Sequence, residues 1–132
     1  MKRTIIFCTL ILSLNSFAQN TNYDNITKID NNFSFVKLND KYGIIDASGK
    51  IIVPVRYSFV TICETVDAVK KYAKVQENDK FGLIDMTISK EVSPIMYDDI
   101  ECFRDGRSKV KLNNKFGYID EEGKEKIPVK YE

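Results

Sequence analysis

An all-β fold built from three tandem units follows from three features of the sequence. A short string returns twice, as "NDKYGIIDASGK", "NDKFGLIDMTISK" and "NNKFGYIDEEGK". Each copy opens with the residue types of a tight hairpin and closes with those of a turn. The segments before each copy roughly alternate apolar and polar residues, which suits half-buried strands. Fixed-period self-similarity of this kind is the signature of repeat architecture.

The glycines Gly43, Gly82 and Gly117 anchor the self-alignment. An aromatic precedes each (Tyr42, Phe81, Phe116), and a lysine precedes that (Lys41, Lys80, Lys115). Valine stands seven back (Val36, Val75, Val110), and aspartate three forward (Asp46, Asp85, Asp120). Pro-x-x-Tyr groups follow, ending at Tyr57, Tyr97 and Tyr131. The segment from Tyr23 matches the segment from Tyr97, so the units run over residues 23–57, 57–97 and 97–131. The middle unit is longer, in "CETVDAVKKYAK" and after Asp85.

Each recurring position has a physical use. Asn39-Asp40, Asn78-Asp79 and Asn113-Asn114 tolerate the left-handed backbone of a two-residue hairpin. Glycine inside the return strand marks a close approach by a neighbour. "DASG" and "DEEG" place Asp first and Gly fourth, as a type I turn prefers. "DMTISK" has one more residue and no glycine, which predicts a deviant loop. Pro54 belongs at a strand end or sheet edge, where no amide donor is needed. A last short strand carries Ile26, Val60 or Ile100, giving about four strands per unit. One segment is ambiguous: Val66, Val69 and Tyr72 recur at helical spacing, while residues 72–75 also align with the start of a hairpin strand.

The chain opens "MKRTIIFCTLILSLNSFAQN". Lys2 and Arg3, an apolar run over residues 4–14 and Ser16-Phe17-Ala18 lay out a secretory leader, with cleavage between Ala18 and Gln19 expected. The run is shorter than the roughly 20 residues that a membrane-crossing helix needs. Cys8 sits inside it rather than at its close, which disfavours lipid attachment there. Residues 19–132 then form one β-repeat domain with no membrane span, placed in the periplasm or outside the cell. Loss of Lys2 and Arg3 turns the formal charge from +1 to −1. Lysines and acids are interspersed without a basic stripe, which speaks against nucleic-acid binding.

These residues resemble the WG-repeat family, whose units run Trp-Gly-Tyr-Ile-Asp-x-x-Gly-Lys and then Pro-x-x-Tyr-Asp. "YGIIDASGKIIVPVRY" and "FGYIDEEGKEKIPVKY" match well, "FGLIDMTISKEVSPIMY" less well in its turn. The aromatic before glycine is never tryptophan, and the chain has none. Tyrosine or phenylalanine fills the same apolar slot, but any role for an indole N–H is lost. The resemblance implies a β-rich array with a binding or scaffolding role and no defined reaction.

No unit of such an array buries its apolar face alone, and three is about the minimum that is stable. A ring of blades needs about four or more. The expected architecture is therefore an open or curled array of three four-stranded units, with a closed pseudo-threefold barrel as the alternative.

Candidate chemistry is sparse. The chain has no histidine, which removes Ser-His-Asp and Cys-His nucleophiles and imidazole-based metal sites. Asp46, Asp85 and Asp120 read as turn caps rather than converging acids. Asp98, Asp99 and Glu101 offer carboxylates for Ca²⁺, but alternation turns Asp98 away from the other two and leaves a solvated face. Cys63 lies six residues and Cys102 five residues after its tyrosine, so equivalent strands hold their sulfurs on opposite faces and unpaired. Tyr42, Phe81 and Phe116 read as packing residues. Phe59, Tyr72, Phe103 and Arg104 vary between units, which makes them the candidate recognition surface.

The reading is an exported interaction module without catalytic activity or cofactor, meeting a protein or envelope surface. A carbohydrate-binding or carboxylate-dependent glycan-acting protein is the first alternative, a structural spacer the second.

Overall fold

A computed structural model describes residues 22–65 and 69–132. The expected leader and its Ala18–Gln19 cleavage site lie outside the described residues. Twelve strands run in chain order: β1 Asn25–Lys28, β2 Phe33–Leu38, β3 Lys41–Asp46, β4 Ile51–Tyr57, β5 Phe59–Cys63, β6 Tyr72–Glu77, β7 Lys80–Asp85, β8 Lys90–Glu91, β9 Asp99–Ile100, β10 Arg107–Leu112, β11 Lys115–Asp120 and β12 Glu125–Tyr131. They form three antiparallel meanders, β1-β2-β3-β4, β5-β6-β7-β8 and β9-β10-β11-β12. No helix occurs among the described residues, and the sheets stack in an open array rather than closing into a barrel.

The hairpin signal acts as read. Asn39 and Asp40 take φ of 53° and 63°, Asn78 and Asp79 53° and 64°, Asn113 and Asn114 53° and 64°. Leu38 pairs with Lys41, Glu77 with Lys80 and Leu112 with Lys115, so each pair closes a two-residue type I′ loop. The middle turn deviates, as its sequence predicts. Ser89 adopts φ of 55° where the outer turns use glycine at 92° and 82°.

The strand glycine and the Pro-x-x-Tyr group form one device. Tyr42 pairs with Tyr57 and Ile44 with Val53, so β4 bulges between the two pairings. The bulge brings Pro54 and Val55 over Gly43, where an added Cβ would lie 2.5 Å from the Val53 carbonyl oxygen and 2.9 Å from the Val55 Cα. At Gly117 the corresponding approaches are 2.6 Å to the Ile127 oxygen and 2.8 Å to the Val129 Cα. In the middle unit the fourth strand breaks after Glu91, and Tyr97 rejoins by bridging Phe81. The Ser93 hydroxyl covers the break by accepting from the Leu83 N–H at 2.9 Å. Pro54 sits at the bulge of an edge strand, which needs no ladder donor there.

Pairing register assigns the faces. Phe35, Ile44 and Val53 are cross-strand partners and share one face of the first sheet. They pack on Ala73, Val75 and Ile84 of the second sheet, with Tyr57 and Met86 in the same core. The second sheet's other face offers Cys63, Tyr72, Leu83 and Tyr97 to Ile100, Val110 and Ile119 of the third. The middle sheet is thus buried on both sides. Of the segment with helical spacing, residues 66–68 lie outside the described residues, Val69 lies outside any element and Tyr72 opens β6.

Cys63 and Cys102 are joined in a disulfide with a Cα–Cα distance of 5.6 Å, which corrects the expectation of opposite faces. That expectation compares equivalent strands. Cys63 ends β5, but β9 stops at Ile100, so Cys102 lies in a loop where alternation no longer governs direction. The loop turns its sulfur back toward the neighbouring sheet, making the bond a staple between stacked units.

Gly43→Ala is expected to lower stability by about 1–3 kcal/mol, because the new methyl meets backbone rather than a movable side chain. Urea unfolding measures this, and an unchanged midpoint would remove the close crossing as its cause. Cys102→Ala should lower stability by roughly 2–4 kcal/mol, the range for cross-links of this loop length. Reduction of the parent chain should have the same effect in the same assay.

Candidate interaction faces

The four recognition candidates separate. Tyr72, in β6, is buried, and its ring lies 4.7 Å from that of Phe103. Its hydroxyl donates to the Glu121 Oε1 at 2.5 Å, and the Lys71 Nζ lies 3.5 Å from the same oxygen. Burial, then the Glu121 bond, raises the Tyr72 pKa. Tyr72 therefore ties the second sheet to the third, with Phe103 as its neighbour. Phe59 sits at the opposite end of β5, exposed and edge-on to Phe81 at 6.3 Å between ring centroids. Arg104 lines a groove of about 910 Å³ with Phe103, Cys102, Glu64 and Lys74. Its charges are mixed, and the Lys74 Nζ is already held by the Asp99 Oδ1 at 2.7 Å.

The turn aspartates act as caps. The Asp46 Oδ1 accepts from the Ser48 hydroxyl at 2.7 Å and from the Ser48 and Lys50 N–H groups at 2.9 Å. The Asp120 Oδ1 accepts from the Glu122 and Lys124 N–H groups at 2.9 Å. Both carboxyls are held below their ordinary pKa, Asp46 first by the Ser48 hydroxyl and Asp120 first by the Lys124 amide. Asp85 accepts from the Thr87 N–H and hydroxyl in its altered loop.

Asp98 and Asp99 hold units together. Asp98 pairs with Lys80 and accepts from the Asn113 N–H at 2.8 Å, and these bonds lower its pKa in that order. Burial raises the Asp99 pKa more than any single contact lowers it, but the Lys74 bond and further contacts together leave it depressed. Among the described residues no group of three or more His, Cys, Asp or Glu side chains is placed to hold a metal ion.

Tyr42, Phe81 and Phe116, read as packing residues, are half-buried along the sheet margins. Each ring lies under a lysine: Lys37 at 5.6 Å, Lys74 at 4.7 Å and Lys109 at 4.4 Å from the centroid. Such contacts contribute about 0.5–1 kcal/mol at exposed sites.

The surface that sequence reasoning did not isolate is the outer face of the third sheet. Tyr118 occupies the position of buried Ile44 and Leu83, but among the described residues no sheet lies in front of it. Tyr57 and Tyr97 are 2% and 3% exposed, whereas Tyr131, their third copy, is 52% exposed. With Phe116, Ile127 and Pro128 these two tyrosines line an apolar hollow of about 500 Å³, bordered by Lys126.

Three stacked four-stranded meanders with one shared hairpin and one shared crossing define a tandem β-repeat protein. The chain belongs to the WG containing repeat family, whose model matches residues 21–42, 42–81, 81–116 and 116–132. The family's boundaries fall on Tyr42, Phe81 and Phe116, inside β3, β7 and β11. One sequence repeat therefore spans two adjacent sheets. No curated protein matches the chain.

Asp46 and Asp120 imply a defined acid limb in stability. A carboxyl with a lowered folded pKa binds fewer protons folded than unfolded, so its contribution is complete above the ordinary value of 3.8 and lost as pH falls through the lowered one. Asp46→Asn should lose less stability than the parent between about pH 4 and pH 2 in urea titrations. Parallel curves for the two proteins would contradict the cap assignment.

Proposed function

We propose that the protein is an exported interaction module without catalytic activity, meeting a protein or envelope-surface partner through the outer face of its third sheet. The observation that carries this reading is the exposure of Tyr131 and the partial exposure of Tyr118 and Ile127 at positions that are buried in the first two units. Exposed aromatic residues around a shallow apolar hollow with a cationic rim have the composition of an interface centre. Membership of a repeat family, an N-terminal segment laid out as a leader and the absence of histidine are consistent with it. Asp46 and Asp120, two of the candidate acids, are engaged in capping turns. Among the described residues no helix is long and apolar enough to cross a membrane.

The double variant Tyr118→Ser/Tyr131→Ser tests the face. Tyr131 is largely exposed and Tyr118 partly so; the double change should therefore leave folding intact while lowering retention of envelope components at least tenfold, about 1.4 kcal/mol. Retention of glycans instead of proteins, lost in the same variant, would move the reading to carbohydrate binding. Equal retention by parent and variant would remove this face from the function.

A further inference from the structure

We propose that the Cys63–Cys102 bond is a thiolation site, at which a low-molecular-weight thiol enters the groove beside Phe103 and joins the Cys102 sulfur. The site lies between the second and third sheets, away from the outer face discussed above. Its two sulfurs differ in access. Cys63 ends β5, pairs with Tyr72 and is 3% exposed. Cys102 is exposed and lines the groove of about 910 Å³ with Glu101, Phe103 and Arg104. Cavities of about 300–1,000 Å³ take small organic molecules, so a thiol of peptide size fits.

The loop that carries Cys102 is fixed by bonds of its own. The Glu101 N–H donates to the Lys109 oxygen at 2.9 Å, and the Ser108 hydroxyl donates to the Glu101 oxygen at 2.6 Å. Beyond Cys102, the Arg104 N–H donates to the Arg107 oxygen at 2.8 Å, and the Arg107 N–H returns a bond at 3.1 Å. Asp105 and Gly106 between them take φ of 52° and 78°, which closes a two-residue hairpin turn. Phe103 packs on the core between the sheets, with its ring 4.7 Å from that of Tyr72. Cys102 therefore keeps its place when its bond to Cys63 opens. The two sulfurs stay within reach, and the bond can close again.

Access is one factor that selects which sulfur of a disulfide is attacked. The thiolate of the incoming molecule bonds to the Cys102 Sγ while the Cys63–Cys102 bond breaks. The electron pair of that bond leaves on the Cys63 sulfur, which takes up the proton that the incoming thiol gave up. One disulfide replaces another, so no further oxidant or reductant is consumed. Arg104 and Lys74 share the groove with Glu64, Glu101 and Asp105, so its charge is mixed and access decides the outcome. Exchange removes the staple but leaves the Tyr72–Glu121, Lys74–Asp99 and Lys80–Asp98 contacts at the same junction. Among the described residues no disulfide joins the first sheet to the second, so the modification loosens one junction only.

Glutathione tests this on the full chain, with acid quenching and peptide mass mapping. The expected adduct lies on Cys102 and exceeds any on Cys63 by about tenfold or more. Its rate of formation should not change in urea below the unfolding transition, because the folded groove admits the thiol. Cys63→Ser leaves Cys102 as a thiol and should react with oxidised glutathione about tenfold or more faster than Cys102→Ser does. An adduct on Cys63, or equal rates for the two variants, would overturn the proposal. So would exchange that quickens in step with unfolding as urea rises, since the thiol would then be meeting the unfolded chain. A folded parent that keeps its disulfide in excess glutathione would overturn it as well. Should either variant lack a cooperative urea transition, the adduct position and urea response of the parent decide alone.

Discussion

The fold depends on one constraint: a four-stranded meander of this length has two apolar faces and can cover neither. The middle sheet meets the constraint by lying between its neighbours, with Ala73, Val75 and Ile84 against the first sheet and Tyr72 and Leu83 against the third. Such a sheet cannot alternate cleanly between apolar and polar residues, and β6 reads buried at Tyr72, Ala73 and Val75 in near succession. The end sheets are covered on one side by this scheme. On the third sheet Lys126 stands where the first two units have Ile52 and Val92, on a face that no described sheet covers.

Stacking also explains why the sequence repeat and the sheet are out of phase. The family's unit begins at the aromatic before glycine, in the third strand of one sheet, and ends at the same point in the next. Each covalent repeat therefore completes one sheet and begins its neighbour. Separating two sheets would require pulling one repeat in half, so chain connectivity and face-to-face packing reinforce each other. The Cys63–Cys102 bond, the Tyr72–Glu121 hydrogen bond and the pairs of Lys74 and Lys80 with Asp99 and Asp98 all fall at the second of the two junctions. Arg56, near Glu77 and Glu91 at 3.3 and 3.8 Å, and Lys70, near Asp30 at 3.2 Å, serve the first. Exposed pairs of this kind contribute little singly, and the apolar faces carry most of the stacking energy.

Features set by local backbone geometry were legible in the sequence. The Asn-Asp and Asn-Asn hairpins, the Asp caps and the strand glycines each answer to a steric or hydrogen-bonding demand within a few residues. Features set by how sheets face each other were not. The alternation argument for Cys63 and Cys102 was sound for strands, yet Cys102 lies two residues beyond the end of β9. Tyr72 varies between units, which suggested recognition. The variation instead reflects a contact with Glu121 that only the second junction possesses. The outer face of the third sheet was hidden for a similar reason: Tyr131 falls at the position of buried Tyr57 and Tyr97, and only the stacking order shows that no described sheet covers it.

The two ends of the array differ in kind, and this bears on what the molecule can do. A terminal repeat built only for solubility would replace every contact position with a polar residue. Here Lys126 is the sole such replacement among the positions matching Ile44, Ile52, Val53 and Tyr57, while Tyr118, Ile127 and Tyr131 keep apolar bulk. Tyrosine satisfies both demands because its hydroxyl tolerates water while its ring gives a large contact area when covered. A face of this composition is stable uncovered and more stable covered, which is the energetic requirement for reversible docking.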